Sequence, residues 1–221
     1  MTVIAIDGPA GSGKSTLAKL LAQKLGLACI DTGAMYRAIA YLALKDGVAL
    51  DDAASLAGLA RSAHIAFAPG GHVMVREEDV TEEIRRPSVS AAVSEVSAHA
   101  EVREIMLEEQ RRIAVDQDVV MEGRDIGTVV FPDAALKVFL TAQVDVRAER
   151  RRKELIAKGE HTTAEETQAA MEARDTYDSA RPVAPLRKAD DAVEIDTSHM
   201  TIDEVLDELE RLARRSVPVS R

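Results

Sequence analysis

One octapeptide limits the possible architecture more than any other stretch of the chain. Residues 8–15 read Gly8-Pro9-Ala10-Gly11-Ser12-Gly13-Lys14-Ser15. They fit G-x-x-x-x-G-K-[ST], a pattern that carries meaning only between a strand and a helix. Both flanks are legible. Val3-Ile4-Ala5-Ile6 is a short apolar run without helical spacing and predicts a buried parallel strand, while Leu17, Leu20, Leu21 and Leu25 recur at helical spacing until Gly26. In that setting the glycines let backbone N–H groups curl around phosphate oxygens, and the helix N-terminus adds positive potential. Lys14 reaches the β- and γ-oxygens, and Ser15 offers a hydroxyl to Mg²⁺. Gly8, Pro9, Ala10, Gly11, Ser12, Gly13, Lys14, Ser15 and Thr16 are therefore the expected triphosphate cradle. The ligand is ATP or GTP, and the lack of an N-K-x-D base-reading motif disfavours a guanine-specific switch.

The rest of the chain alternates strand and helix with one interruption. Ala28-Cys29-Ile30 predicts a second strand and completes a βαβ unit, followed by a helix from Met35 to Lys45. From about Leu50 to His99 the rhythm changes. Asp51 to Ala63 looks helical, and 64–67 and 72–75 flank Pro69-Gly70-Gly71 as a hairpin. A local antiparallel hairpin inside a β/α alternation is most simply an inserted subdomain. Helical spacing resumes from Val102 to Ile113, then strands are predicted at 119–121 and 136–140, helices at 146–158 and 163–181, and a strand at 192–195. The closing helix opens on a capping box, Thr201 with Glu204, stapled by Met200 and Val205, and its expected core face is Ile202, Val205, Leu206, Leu209 and Leu212. Residues 217–221 read as a frayed tail.

Composition narrows the partners. The 221 residues carry 28 Lys and Arg against 38 Asp and Glu, a formal net charge of −10, which repels a nucleic-acid polymer or an anionic membrane. Three Tyr, three Phe and no Trp leave no stacking platform for single strands. The single Cys29 cannot pair within the chain, and neither a signal peptide nor an apolar run of membrane-spanning length is present, so a cytoplasmic protein, expected to be a monomer, is predicted. The five histidines show no paired metal-site spacing. Any anionic ligand must be gripped locally.

Arginines supply that grip. A hydroxyl acceptor needs a base, whereas a phosphate acceptor attacks with an oxygen that is already anionic and needs cations instead. Arg37, Arg103, Arg124, Arg174 and Arg181 stand at suggestive places. Arg174, Asp178 and Arg181 share one helical stripe, suited either to gripping phosphate and sugar or to ordinary exposed ion pairs. Arg147, Arg150, Arg151 and Arg152 form a cluster that either closes over ATP as a lid or is a solvated face. Asp31 is either a partner of Mg²⁺ through water or a helix-entry residue. Asp125 is a base reader or a turn-stabilising carboxylate.

Three further blocks, Asp31-Thr32-Gly33-Ala34-Met35-Tyr36-Arg37, the run 122–134 and Val183-Ala184-Pro185-Leu186, resemble the bacterial cytidylate kinases in order and spacing across nearly the whole chain. The resemblance implies an α/β nucleoside-monophosphate kinase of the P-loop type. Its parts would be a three-layer core with a parallel five-stranded sheet (1–49, 100–147 and 167–221), a nucleotide-monophosphate-binding insertion (about 50–99) and a helical lid (about 148–166). It implies that Arg37, Arg124 and Arg181 hold the acceptor phosphate, that Tyr36, Arg174 and Asp178 meet the ribose, and that Ser94, Arg103 and Asp125 read cytosine. Thr32 would sit in the same pocket. Lys14, Arg124 and Arg181 would be the catalytic cations in transfer from ATP, with Mg²⁺, to CMP or dCMP. The chemistry agrees, because cytosine offers an N4 donor to Asp125 and N3 and O2 acceptors to Arg103 and Ser94, whereas uracil sets O4 against the carboxylate. Two other readings share the cradle: a small-metabolite hydroxyl kinase of the shikimate-kinase kind with Asp31 as base, and a nucleotide-dependent binding switch without an acceptor.

Overall fold

A computed structural model describes residues 1–68, 70–157 and 159–216. Pro69 of the expected hairpin turn, Lys158 and the expected frayed tail lie outside the described residues. Five strands form the main sheet: β1 (Val3–Asp7), β2 (Ala28–Asp31), β6 (Val119–Gly123), β7 (Leu136–Thr141) and β8 (Val193–Asp196). Their order is β2-β6-β1-β7-β8, and every pairing is parallel. β1 therefore lies in the centre, where residues of alternating direction are buried on both faces, as its uninterrupted apolar sequence requires. Ile4 and Ile6 pack with Leu17 and Leu21 of α1 (Lys14–Leu25) and with Val205 and Leu209 of α8 (Ile202–Ser216). Val3 and Ala5 face the other way, toward Ala114, Met121 and Ile126.

The helices start and stop where local chemistry dictates. Gly13 and Gly26 bracket α1, both in the left-handed region, and Asp31 accepts from the Ala34 amide to start α2 (Thr32–Asp46). Thr201 and Glu204 exchange hydrogen bonds ahead of α8, as the sequence predicts. One residue of the expected α8 face is corrected. Ile202 is 55% exposed because it opens the first turn, before the helix reaches the sheet, and Ala213 joins Val205 and Leu209 in the core instead.

Residues 50–99 hold a second, antiparallel sheet, β3 (Ile65–Ala68), β4 (His72–Val75) and the two-residue β5 (Glu78–Asp79), together with α3 (Ala53–Ser62), a 3₁₀ turn (Glu83–Arg85) and α4 (Pro87–Val96). α4 was not apparent from the sequence reading. Its signal is Pro87 at the first helical position with Val89, Ala92, Val93 and Val96 buried on one side. This segment shares one hydrophobic core with α2 and with α5 (Ala100–Ala114). After β6, residues Ile126–Val130 form a π-helical turn, and α6 (Val144–Ala157) and α7 (Ala164–Ala180) pair between β7 and β8. α7 begins with a full capping box, Thr163 with Glu166. Among the described residues no helix is long and apolar enough to cross a membrane.

Leu209 is fully buried between α8 and the sheet. Leu209→Ala should therefore cost about 2–5 kcal/mol in chemical denaturation, whereas Ile202→Ala should stay within about 0.5 kcal/mol of the parent.

Candidate active site

The cradle follows β1, and a second loop follows β6, its neighbour. The chain leaves β1 for β2 on one side and crosses from β6 to β7 on the other, so both loops open at the place where the strand order reverses. A cleft of about 780 Å³ lies there. The loop backbone must come close to the neighbouring strand: a Cβ on Gly8, whose φ is +150°, would stand 2.0 Å from the Leu140 carbonyl oxygen. Lys14 is buried and donates to the Pro9 carbonyl at 2.7 Å and to Ser12 Oγ at 3.3 Å. Burial, and then the nearby Arg124 charge, lower its pKa to about 7.

Facing the cradle, Ser15 Oγ donates to Glu122 Oε1 at 2.6 Å, and Thr32 Oγ1 donates to the Glu122 carbonyl at 2.8 Å. Glu122 pairs in register with Asp31 on β2. Burial, and next the Asp31 charge, raise its pKa to about 7 against the pull of Lys14. Glu122 escaped the sequence reading as a functional residue. Its signals are its place immediately before the Gly123-Arg124-Asp125 turn and at the head of the run 122–134. Asp31 receives Arg37 Nη2 at 2.7 Å besides the Ala34 amide; burial alone would raise its carboxyl, but Arg37 and that amide hold it below the ordinary carboxylate value. So held, it is a poor general base.

The predicted acceptor residues converge from five elements. Arg103 on α5 donates to Asp125 Oδ2 at 2.5 Å and to the Ser97 carbonyl at 3.3 Å, with its guanidinium 5.3 Å from the centre of the Tyr36 ring. Arg124 Nε donates to Asp178 Oδ2 at 2.9 Å. Arg181 donates to the Ala184 carbonyl at 2.7 Å and stands 3.6 Å from Asp178 and 3.9 Å from Asp125. Tyr36, Arg37, Ser94 and Arg174 line the same cleft, as do Arg85 of the 3₁₀ turn and Tyr177, which the sequence reading did not single out. Burial, then repulsion from Arg124, lowers the Arg174 pKa to about 10.

These guanidinium groups are not saturated by protein. Arg37 Nε, Arg103 Nε, Arg174 Nε and Arg181 Nη2 are buried nitrogens without a hydrogen-bond partner among the described residues. Buried donors of this kind demand acceptors. Along the lining cations outnumber carboxylates, although the chain as a whole is acidic.

The four arginines of the expected lid do not share one environment. Only Arg151 of the four lines the cleft. Arg147 is buried and braces the cradle from behind, donating to Ala142 and Ala10 carbonyls at 2.8 and 3.0 Å and to Asp175 at 2.6 Å. Arg150 is bound to Thr197, and Arg152 to Glu149 one turn away. Arg147, Arg150 and Arg151 stand at i, i+3 and i+4 and share a side of α6, but Arg147 and Arg150 are taken up by protein partners, and Arg152 points away from that side.

A phosphate cradle at the switch point of a parallel sheet, opposed by buried, under-satisfied arginines, defines a P-loop phosphotransferase. Comparison with known proteins sharpens that class. The family model described as cytidylate kinase matches residues 4–215. A cytidylate kinase of Geobacter sulfurreducens is 51% identical over 215 residues, covering 96% of this chain and 92% of the relative, and one from Listeria monocytogenes serotype 4b is 49% identical over 216 residues, covering 97% and 96%. The chain belongs to the cytidylate kinase family. An uncharacterized protein from Eubacterium ventriosum shares the fold in its crystal structure, with a TM-score of 0.54 at 15% identity over 97% of this chain and 98% of that one.

The raised Glu122 pKa has a consequence for stability. The folded carboxyl binds its proton more tightly than the unfolded one, so its contribution is fully present below about pH 4.5 and is lost as the pH rises toward 7. Glu122→Gln, which keeps an acceptor for Ser15, should therefore gain thermal stability relative to the parent between pH 5 and pH 8, checked by paired melting curves.

Proposed function

We propose that the chain transfers the γ-phosphoryl group of ATP to the 5′-phosphate of CMP or dCMP, giving ADP and CDP or dCDP, in pyrimidine nucleotide metabolism. The observation that carries this reading is the convergence of Arg37, Arg103, Arg124, Arg174 and Arg181 on the lining of one cleft, opposite the cradle. A phosphate monoester supplies acceptors to such guanidinium groups in the charge-assisted form that arginine binds most strongly. Family membership supplies the nucleotide.

In this reading an oxygen of the acceptor phosphate attacks the γ-phosphorus in line, the bond to the β,γ-bridging oxygen breaks, and ADP leaves with its electrons. No base is required, since the nucleophile is already ionised. Arg37, Arg124 and Arg181 hold the acceptor phosphate, Tyr36, Arg174 and Asp178 the ribose, and Thr32 lines the same pocket. Lys14, Arg124 and Arg181 screen the repulsion between two anions and stabilise charge on the transferring oxygens. An anionic donor beside Lys14 also returns its ammonium toward full protonation. Arg103, Asp125 and Ser94 read the base. Arg103 donates to Asp125, and a carboxylate oriented in this way can accept from the cytosine amino group, which supports this reading. The connection between α6 and α7, with Arg151, is the part that closes over the donor and excludes water.

The oxygen donors of Ser15, Asp31 and Glu122 suit Mg²⁺, a hard cation that favours such ligands and keeps several waters. Ser15 would hold it directly and Asp31 through water, and the ion would neutralise donor phosphate charge. A cytoplasmic monomer completes the proposal.

Incubation with ATP, Mg²⁺ and a panel of CMP, dCMP, UMP, AMP and shikimate should put phosphate on CMP and dCMP first. Lys14→Ala should lower the rate by about 100- to 1000-fold. Asp125→Ala should shrink the preference for CMP over UMP by on the order of 100-fold. Retention of either property, or preferential labelling of shikimate, would refute the assignment.

A further inference from the structure

We infer that Asp7 is a positioning residue that locks the base- and phosphate-reading turn to the donor cradle, and thereby sets both acceptor affinity and discrimination between cytosine and uracil. The inference rests on the acceptor assignment above, but the observations behind it are separate. Asp7 is the last residue of the central strand, immediately before Gly8, and is 5% exposed. It has no ion-pair partner among the described residues. Its two carboxylate oxygens instead accept from two successive backbone amides, Ile126 at 2.8 Å and Gly127 at 2.7 Å.

Those amides follow Arg124 and Asp125 directly. On the other side of that pair, Gly123 is the register partner of Asp7 in the β1–β6 ladder. One residue therefore fixes both ends of the two-residue segment that carries the Arg124 guanidinium and the Asp125 carboxylate. The π-helical turn makes this possible. Val129 and Val130 both donate to the Asp125 carbonyl and Phe131 donates to that of Ile126, so the first amides of the turn have no carbonyl of their own and take the carboxylate. Gly127 keeps the approach open, since a Cβ there would meet Lys137 Cδ at 3.1 Å and Asp7 Oδ2 at 3.4 Å.

An ionised carboxylate is suited to this position because it accepts on both oxygens. Asn presents an NH₂ to one amide and opposes donor to donor. Ser presents one oxygen without that clash. The carboxylate also tolerates burial that raises its pKa to about 6. Such a cost is reasonable where geometry matters, because Asp125 must meet the cytosine amino group within hydrogen-bonding distance while Arg124 meets a phosphate.

Steady-state kinetics of Asp7→Asn and Asp7→Ser with CMP and UMP, each at varied ATP, test the inference. KM for CMP should rise at least tenfold more than KM for ATP, and the CMP-to-UMP ratio of kcat/KM should fall at least tenfold, with Asp7→Ser the milder of the two. A merely structural role would instead lower melting temperature or active fraction and leave both ratios unchanged, which would overturn it. Hydrogen exchange on the parent protein gives a test that needs neither turnover nor a stable variant: the Ile126 and Gly127 amides should be protected, and exchange at unprotected loop rates would also overturn the inference. If the parent itself fails to phosphorylate CMP, the acceptor assignment falls; the lock is then judged by exchange and by calorimetric binding of CMP to parent and variants.

Discussion

Two anions have to be brought into bonding contact by a chain that is itself strongly acidic, and the structure follows from that constraint. Attraction at long range is unavailable, so cations must be concentrated in a cleft and shielded from water, where each is worth more than on the surface. Buried charges are costly unless partnered. The cleft meets this with an alternating chain: Arg103 with Asp125, Asp125 near Arg181, Arg181 near Asp178, and Asp178 with Arg124. Each carboxylate holds a guanidinium in place while leaving some of its donors free.

That arrangement also separates two tasks within single side chains. Asp125 accepts from Arg103 on one oxygen while its other oxygen stands 3.9 Å from Arg181. Arg124 spends its Nε on Asp178 and Nη1 on the Gly123 carbonyl, and the residue lines the cleft. The donor side is built differently, from backbone amides and one lysine, because a triphosphate offers more oxygens than side chains could surround. Arg147 supports this side from behind by gripping Ala10 and Asp175 at once, which ties the cradle to α7.

Much of the scaffold was legible in the chain because its signals are local. Gly26 and Gly47 stop helices, Thr201 and Glu204 start one, and the apolar run at β1 has no amphipathic alternation because both of its faces are covered. α4 and the π-helical turn were missed for opposite reasons. Pro87 and the spacing of Val89, Ala92, Val93 and Val96 were present but weak in a short segment, whereas 126–130 has no period of its own and takes its form from Asp7 across the sheet. The arginines at 147–152 read as one cluster in the chain, but their partners, Ala10 and Asp175 for Arg147, Thr197 for Arg150 and Glu149 for Arg152, are set only by the elements packed around α6.

The sequence by itself determined the cradle motif, the parallel alternation of strand and helix and, through family blocks, the family to which the chain belongs. It could do so because glycines with a lysine at fixed offsets, helix caps and hydrophobic periods act over a few residues. Only the tertiary structure decided which cations remain free, that Glu122 joins Ser15, that Arg147 faces inward, and that Asp7 binds a turn about 120 residues away. Those outcomes depend on which side chains share a buried volume once the sheet is assembled, a property of distances through space that spacing along the chain does not encode.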